Sequence, residues 1–129
     1  MNETNGYQIL LAEDDQVMRS YLTSALQKAG YGVTAVDCGT AALPFLESEA
    51  FDLLLSDIVM PEMDGIELAQ HCNDISPQTK VMFITGFAAV TLKASREQPN
   101  AKVLSKPFHL RDLVLEVERV LEEKVQASL

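Results

Sequence analysis

Four points in the chain put a side chain able to do chemistry directly after an apolar run. Glu13, Asp14 and Asp15 follow QILLA, Asp57 follows FDLLLS, Thr85 and Gly86 close KVMFIT, and Lys106 and Pro107 follow AKVLS. Each alone is weak, because an acid in such a place often does no more than cap the next helix. Asp14 and Asp15 are open to that reading. Four such positions filled together are harder to explain by capping. Carboxylates roughly 6 Å apart repel by about 3 kcal/mol per pair at an effective dielectric near 20, so three of them call for a cation. All-oxygen ligation with room for water suits Mg²⁺. A lysine offsets part of the charge and can hold an anion, and a hydroxyl adds a donor. A carboxylate nucleophile, a metal and two contacts for phosphoryl oxygens are what phosphoryl transfer requires.

These residues meet only if the elements before them end at one rim. The strand candidates are QILLA (8–12), GVTAV (32–36), FDLLLS (51–56), KVMFIT (80–85) and AKVLS (101–105). Four are nearly continuous apolar runs, as strands covered on both faces are; GVTAV is weaker and suits an edge. Helical patterns alternate with them. From Gln16 to Ala29 the positions Met18, Leu22, Ala25, Leu26 and Ala29 share a face, and Gly30 is a natural stop. Further helices are expected over 40–48, with Pro44 in the first turn, and over 64–73, 87–96 and 110–125. The last has Leu110, Leu113, Val114, Val117, Leu121 and Val125 in register. Five β-α units in alternation imply an α/β domain with a parallel sheet. In such sheets ligands bind outside the carboxyl ends of the strands, which puts Asp57 at the working edge.

The totals narrow the function. A chain of 129 residues, 47% of them hydrophobic, suits one domain spanning 1–129 with a real core. Nineteen acidic against ten basic residues, a net charge of −9, disfavours binding to a nucleic-acid backbone. No apolar run is long enough to span a bilayer, and MNETNGYQ lacks the features of a signal peptide, so a cytoplasmic protein is expected. Cys38 and Cys72 have neither metal-ligand spacing nor the numbers for a disulfide framework.

The motifs ILLAEDD, LLLSDIVMPEMDG, FITG and LSKPF, in this order, resemble the receiver domains of bacterial two-component response regulators. The resemblance covers about residues 7–125. It implies a flavodoxin-like (βα)5 fold with strand order 2-1-3-4-5 and helices on both faces. It also implies that Asp57 takes a phosphoryl group from the phosphohistidine of a histidine kinase or histidine phosphotransferase. Glu13 and Asp14 then form the acidic pocket. Asp14, Asp57 and the backbone carbonyl of Val59 are the implied Mg²⁺ ligands, with Glu13 acting through water. Thr85 and Lys106 each contact a phosphoryl oxygen, and Pro107 matches a cis-proline. Asp15 is left as a helix cap, and Asp64 and Gly65 as the start of the third helix. His71 and His109 are read as surface residues.

Two departures stand out. Many receivers carry Tyr or Phe three residues before the lysine; here that residue is Val103. No output domain is expected in cis, so the product of phosphorylation is a changed surface. Within single-domain receivers, DLLLSDIVMPEMDGIELA, KVMFITGFAAVTLK and AKVLSKPFHLRDLVLEVERVL resemble an alphaproteobacterial group of adaptors for the ClpXP protease that act in cell-cycle control. In that group the unphosphorylated form is active. Three other readings compete. A relay intermediate that passes its phosphoryl group to another histidine protein fits the same residues. A metal-dependent phosphatase would want an acid at Val59. A flavin carrier would need a phosphate loop where EDDQVMR stands, and those acids repel phosphate.

Overall fold

The computed structural model describes residues 6–127, with side chains through Glu122. Val125, placed by its spacing on the buried stripe of the last helix, lies outside the described side chains. The strands are Gln8–Ala12 (β1), Gly32–Val36 (β2), Leu53–Asp57 (β3), Lys80–Thr85 (β4) and Lys102–Ser105 (β5). All pair in parallel in the order β2-β1-β3-β4-β5, with β2 at an edge as its sequence suggests. The strand order reverses between β1 and β3, where a crevice opens at the carboxyl ends.

Helices Gln16–Lys28 (α1) and Leu110–Ala127 (α5) cover one face, through Leu22, Leu26, Leu113, Val117 and Leu121. They pack on Ile9, Leu11, Leu53, Leu55, Met82 and Ile84 of the sheet. Gly39–Ser48 (α2), Gly65–Ile75 (α3) and Thr91–Glu97 (α4) cover the other, against Leu10, Leu54 and Phe83. Alternate residues of each central strand thus feed opposite cores, which is why these strands are apolar throughout. Truncating a residue such as Leu54, which is fully buried, to alanine would cost about 2–5 kcal/mol.

Helix α1 stops as expected. Gly30 has φ +101°, and Tyr31 and Gly30 donate their amides to Leu26 and Gln27 carbonyls at 3.1 and 3.0 Å. That double bond pattern, with buried Tyr31 beside Leu26, satisfies the last carbonyls of the helix.

Three expectations need correction. Pro44 lies inside α2, past its first turn. The amide it lacks would have bonded to the carbonyl of exposed Thr40, where water can serve instead. Strand β3 starts at Leu53, two residues late, because the Phe51 carbonyl accepts from the Thr79 hydroxyl at 2.7 Å while the Asp52 carboxylate takes the Gln8 amide at 2.7 Å. The fourth helix is shorter than expected. Ala88–Val90 form a 3₁₀ turn, and the α-helical part begins only at Thr91.

Register aligns the working ends. Ala12 pairs with Ser56, Asp57 with Ile84 and Thr85 with Ser105. Residues 13 and 57 therefore emerge side by side, and residues 86 and 106 do so two positions further along the same rim.

Candidate functional site

Asp57 is the last residue of β3 and only 6% exposed; Glu13, the first after β1, is fully buried. Lys106 emerges after β5 and reaches across the end of β4. Its Nζ lies 3.1 Å from Glu13 Oε1 and 3.1 Å from Asp57 Oδ2. One ammonium thus bridges two carboxylates that would otherwise repel. Burial pushes the Glu13 carboxyl up to about 7. The Asp15 amide opposes that rise, while the charge and hydrogen bond of Asp57 reinforce it and Lys106 again opposes it. Burial pulls the Lys106 ammonium down, but the charges of Asp57 and Glu13 outweigh it and leave its pKa above the ordinary value.

The loops explain the placement. After β1, the Glu13 amide donates to Val36 O at 3.1 Å and the Glu13 carbonyl accepts from Arg19 Nη1 at 2.8 Å. Asp15 caps α1 as expected, its Oδ1 accepting from the Val17 and Met18 amides at 3.0 and 3.4 Å. Asp14, between the two, is exposed. After β3, Ile58 and Met60 are buried and Val59 between them is 43% exposed. The apolar trio is therefore two anchors flanking an outward residue. Asp64 caps α3 by accepting the Glu67 amide at 2.8 Å. The Gly65 amide donates to Ile58 O at 2.7 Å, and a Cβ on Gly65 would collide with the Asp57 carbonyl oxygen. The Ser56 hydroxyl donates to that same carbonyl at 2.8 Å.

Ligand oxygens of Glu13, Asp14 and Asp57 all lie within 4.8 Å of one another. Three hard oxygen donors, of which Glu13 is pushed toward its neutral form chiefly by burial, fit a divalent cation such as Mg²⁺. Thr85 is brought to the rim but not to the carboxylates. Its hydroxyl is buried and accepts the Phe87 amide at 3.0 Å, while its carbonyl accepts the Lys106 amide at 2.7 Å. The Lys106–Pro107 peptide is cis, and Val103 packs partly buried against the core. His71 lies on α3, 3.9 Å from Glu67, and His109 is exposed before α5; neither joins the site. Burial pushes the Cys72 thiol up to about 11, as an inert core cysteine requires.

Sequence reasoning missed Arg19 and Ser56, and it gave Gly65 only a helix start. Arg19 sits four residues after a capping aspartate, and helical side chains lean toward the N-terminus, so its reach was inferable. Nothing in the sequence marks Ser56 beyond its place before Asp57.

Residues 9–118 match the response regulator receiver domain family. The response regulator receiver protein CpdR of Brucella abortus (strain 2308) is 62% identical over 114 residues, which are 88% of this chain and 95% of that protein. The sensor kinase CckA of the same organism is 36% identical over 121 residues, 90% of this chain but 13% of the kinase. A response regulator receiver protein of Sinorhizobium medicae WSM419 has a solved structure with TM-score 0.83 at 31% identity, covering 91% of this chain and 95% of that one.

Proposed function

Because the chain belongs to the response regulator receiver domain family, we propose that it is a phosphoacceptor signalling protein loaded on Asp57. The donor is the phosphohistidine of a histidine kinase or histidine phosphotransferase. The observation that carries this reading is Lys106, bridging Glu13 and Asp57 at 3.1 Å on the edge where Asp14 also converges. In the transfer, an Asp57 carboxylate oxygen attacks phosphorus. The new P–O bond forms as the P–N bond breaks, and the imidazole leaves with its electron pair. Asp14, Asp57 and the Val59 carbonyl, with Glu13 acting through water, would hold Mg²⁺, which would supply positive charge to the phosphoryl oxygens when bound. Lys106 then exchanges a carboxylate partner for a phosphoryl oxygen, and Thr85 donates its hydroxyl to another. The protein has no other catalytic activity than gaining and slowly losing this group.

Thr85 also holds the Phe87 amide, so recruiting its hydroxyl displaces the start of the 3₁₀ turn before α4. Val103 is too short to swing as an aromatic switch would. The loop after β4 therefore carries the signal.

The output is binding to other proteins by one domain, 1–129, in the cytoplasm. Likeness to CpdR and the motif resemblance support an adaptor that presents substrates to the ClpXP protease when unphosphorylated. The test is capture of ClpX by the immobilised protein. Wild type and Asp57→Ala should both retain it, and wild type treated with beryllofluoride, a phosphoryl mimic, should release it. Equal capture with and without beryllofluoride would overturn the adaptor reading.

A further inference from the structure

We propose that Arg19 is a positioning residue for the metal pocket, clamping the backbone between Glu13 and Asp14 so that the Asp14 carboxylate is aimed at the cation. This deepens the reading above and rests on its metal site. Arg19 stands on the first turns of α1, where its amide donates to Asp15 O at 2.8 Å. Its side chain leans back over that turn, in the direction helical side chains take. The guanidinium Nη1 then donates to the Glu13 carbonyl at 2.8 Å. The opposite side of the same residue is fixed by the Glu13 amide on Val36 O at 3.1 Å, and its carboxylate accepts the Asp15 amide at 3.2 Å. Glu13 is thus held at amide, carbonyl and side chain. Asp14 is exposed, so its placement depends on the backbone that enters it. Lys106 holds the Glu13 carboxylate, but among the described residues Arg19 is the one side chain from outside the acidic loop that is tied to the backbone of that stretch.

Electrostatics and positioning make opposite forecasts here, which gives the inference its test. A guanidinium near three carboxylates repels a divalent cation, so removing its charge should by Coulomb's law tighten Mg²⁺ binding. Loss of a clamp should weaken it, since groups that orient a metal ligand are typically worth tenfold or more in affinity. Arg19→Met keeps the stem and nearly the same helix propensity, and removes donor and charge. Arg19→Lys keeps a charge and a single donor.

Mg²⁺ affinity is read from amide NMR shifts of residues 13–15 and 57–59 in titrations of wild type and both variants, with the melting temperature of each metal-free protein measured beside it. Arg19→Met should bind Mg²⁺ about tenfold more weakly while melting close to wild type, and Arg19→Lys should recover most of the loss. Unchanged or tighter binding by Arg19→Met would overturn the inference, as would a lysine variant no better than methionine. Should Arg19→Met melt far below wild type, Arg19→Lys alone decides, by keeping or losing affinity at normal stability. Wild type that does not bind Mg²⁺ at all would defeat the metal reading itself, a separate outcome.

Discussion

At the scale of single residues the site is a charge problem solved by Lys106. Three carboxylates converge and one ammonium holds two of them, yet burial still pushes the Glu13 carboxyl up to about 7 from an ordinary 4.5. The consequence for stability has a definite sign. Between those two values the folded, metal-free protein holds the Glu13 proton more tightly than the unfolded chain does. Its contribution therefore favours folding at the acid end and is lost as pH rises toward 7. Mg²⁺ must displace the same proton, so its affinity should fall as pH drops below about 7. Melting of metal-free wild type and Glu13→Gln across this range checks the first point: the variant should lack the downward step, and parallel curves would refute it. Val59 and Phe87, 43% and 59% exposed beside the site, carry no group that could hold a water in line with phosphorus. Phosphate on Asp57 should therefore be long-lived, and Val59→Asn with Phe87→Glu should shorten its life in a decay assay without kinase. Equal lifetimes would sink that idea. Glu13, Asp14, Asp57 and Lys106 were legible because each stands at, or within two residues of, the end of an apolar strand. The inward hydrogen bond of Thr85 was not, since it depends on how the next loop turns.

Elements deliver these residues, and α3 does so by contact. Its first residue, Gly65, lies so close to the end of β3 that a single methyl would strike the Asp57 carbonyl oxygen. Gly65→Ala should therefore cost about 1–3 kcal/mol as an overpacked site does, and should slow loading of Asp57 by moving its backbone. Denaturant unfolding together with the rate of acetyl phosphate labelling checks both; an unchanged rate would free the nucleophile from α3. The aspartate-glycine pair flagged a helix start in the sequence, but its distance from β3 is a tertiary fact that spacing does not encode. Pro44 shows the same limit. Its type signals a first turn, yet the helix begins five residues earlier because Gly39 and Ala42 bury against the core. Strand periods and the Asp15 cap, by contrast, depend on near neighbours and were readable.

For the whole molecule, the parallel order β2-β1-β3-β4-β5 brings four strand ends to one rim and separates two cores. No described helix is long and apolar enough to cross a membrane. Lys106 is the cation that this acidic chain, of net charge −9, brings to the pocket, and it reaches two of the three carboxylates there. Alternation of apolar strands with amphipathic helices made this architecture legible, whereas the strand order came from resemblance to known motifs. The proposed function requires Asp57 as the phosphoacceptor. Intact-mass measurement after incubation with acetyl phosphate and Mg²⁺ tests it directly. Wild type should gain one phosphoryl group, and Asp57→Ala none; a phosphoryl group retained on Asp57→Ala, or none on wild type, would contradict the account.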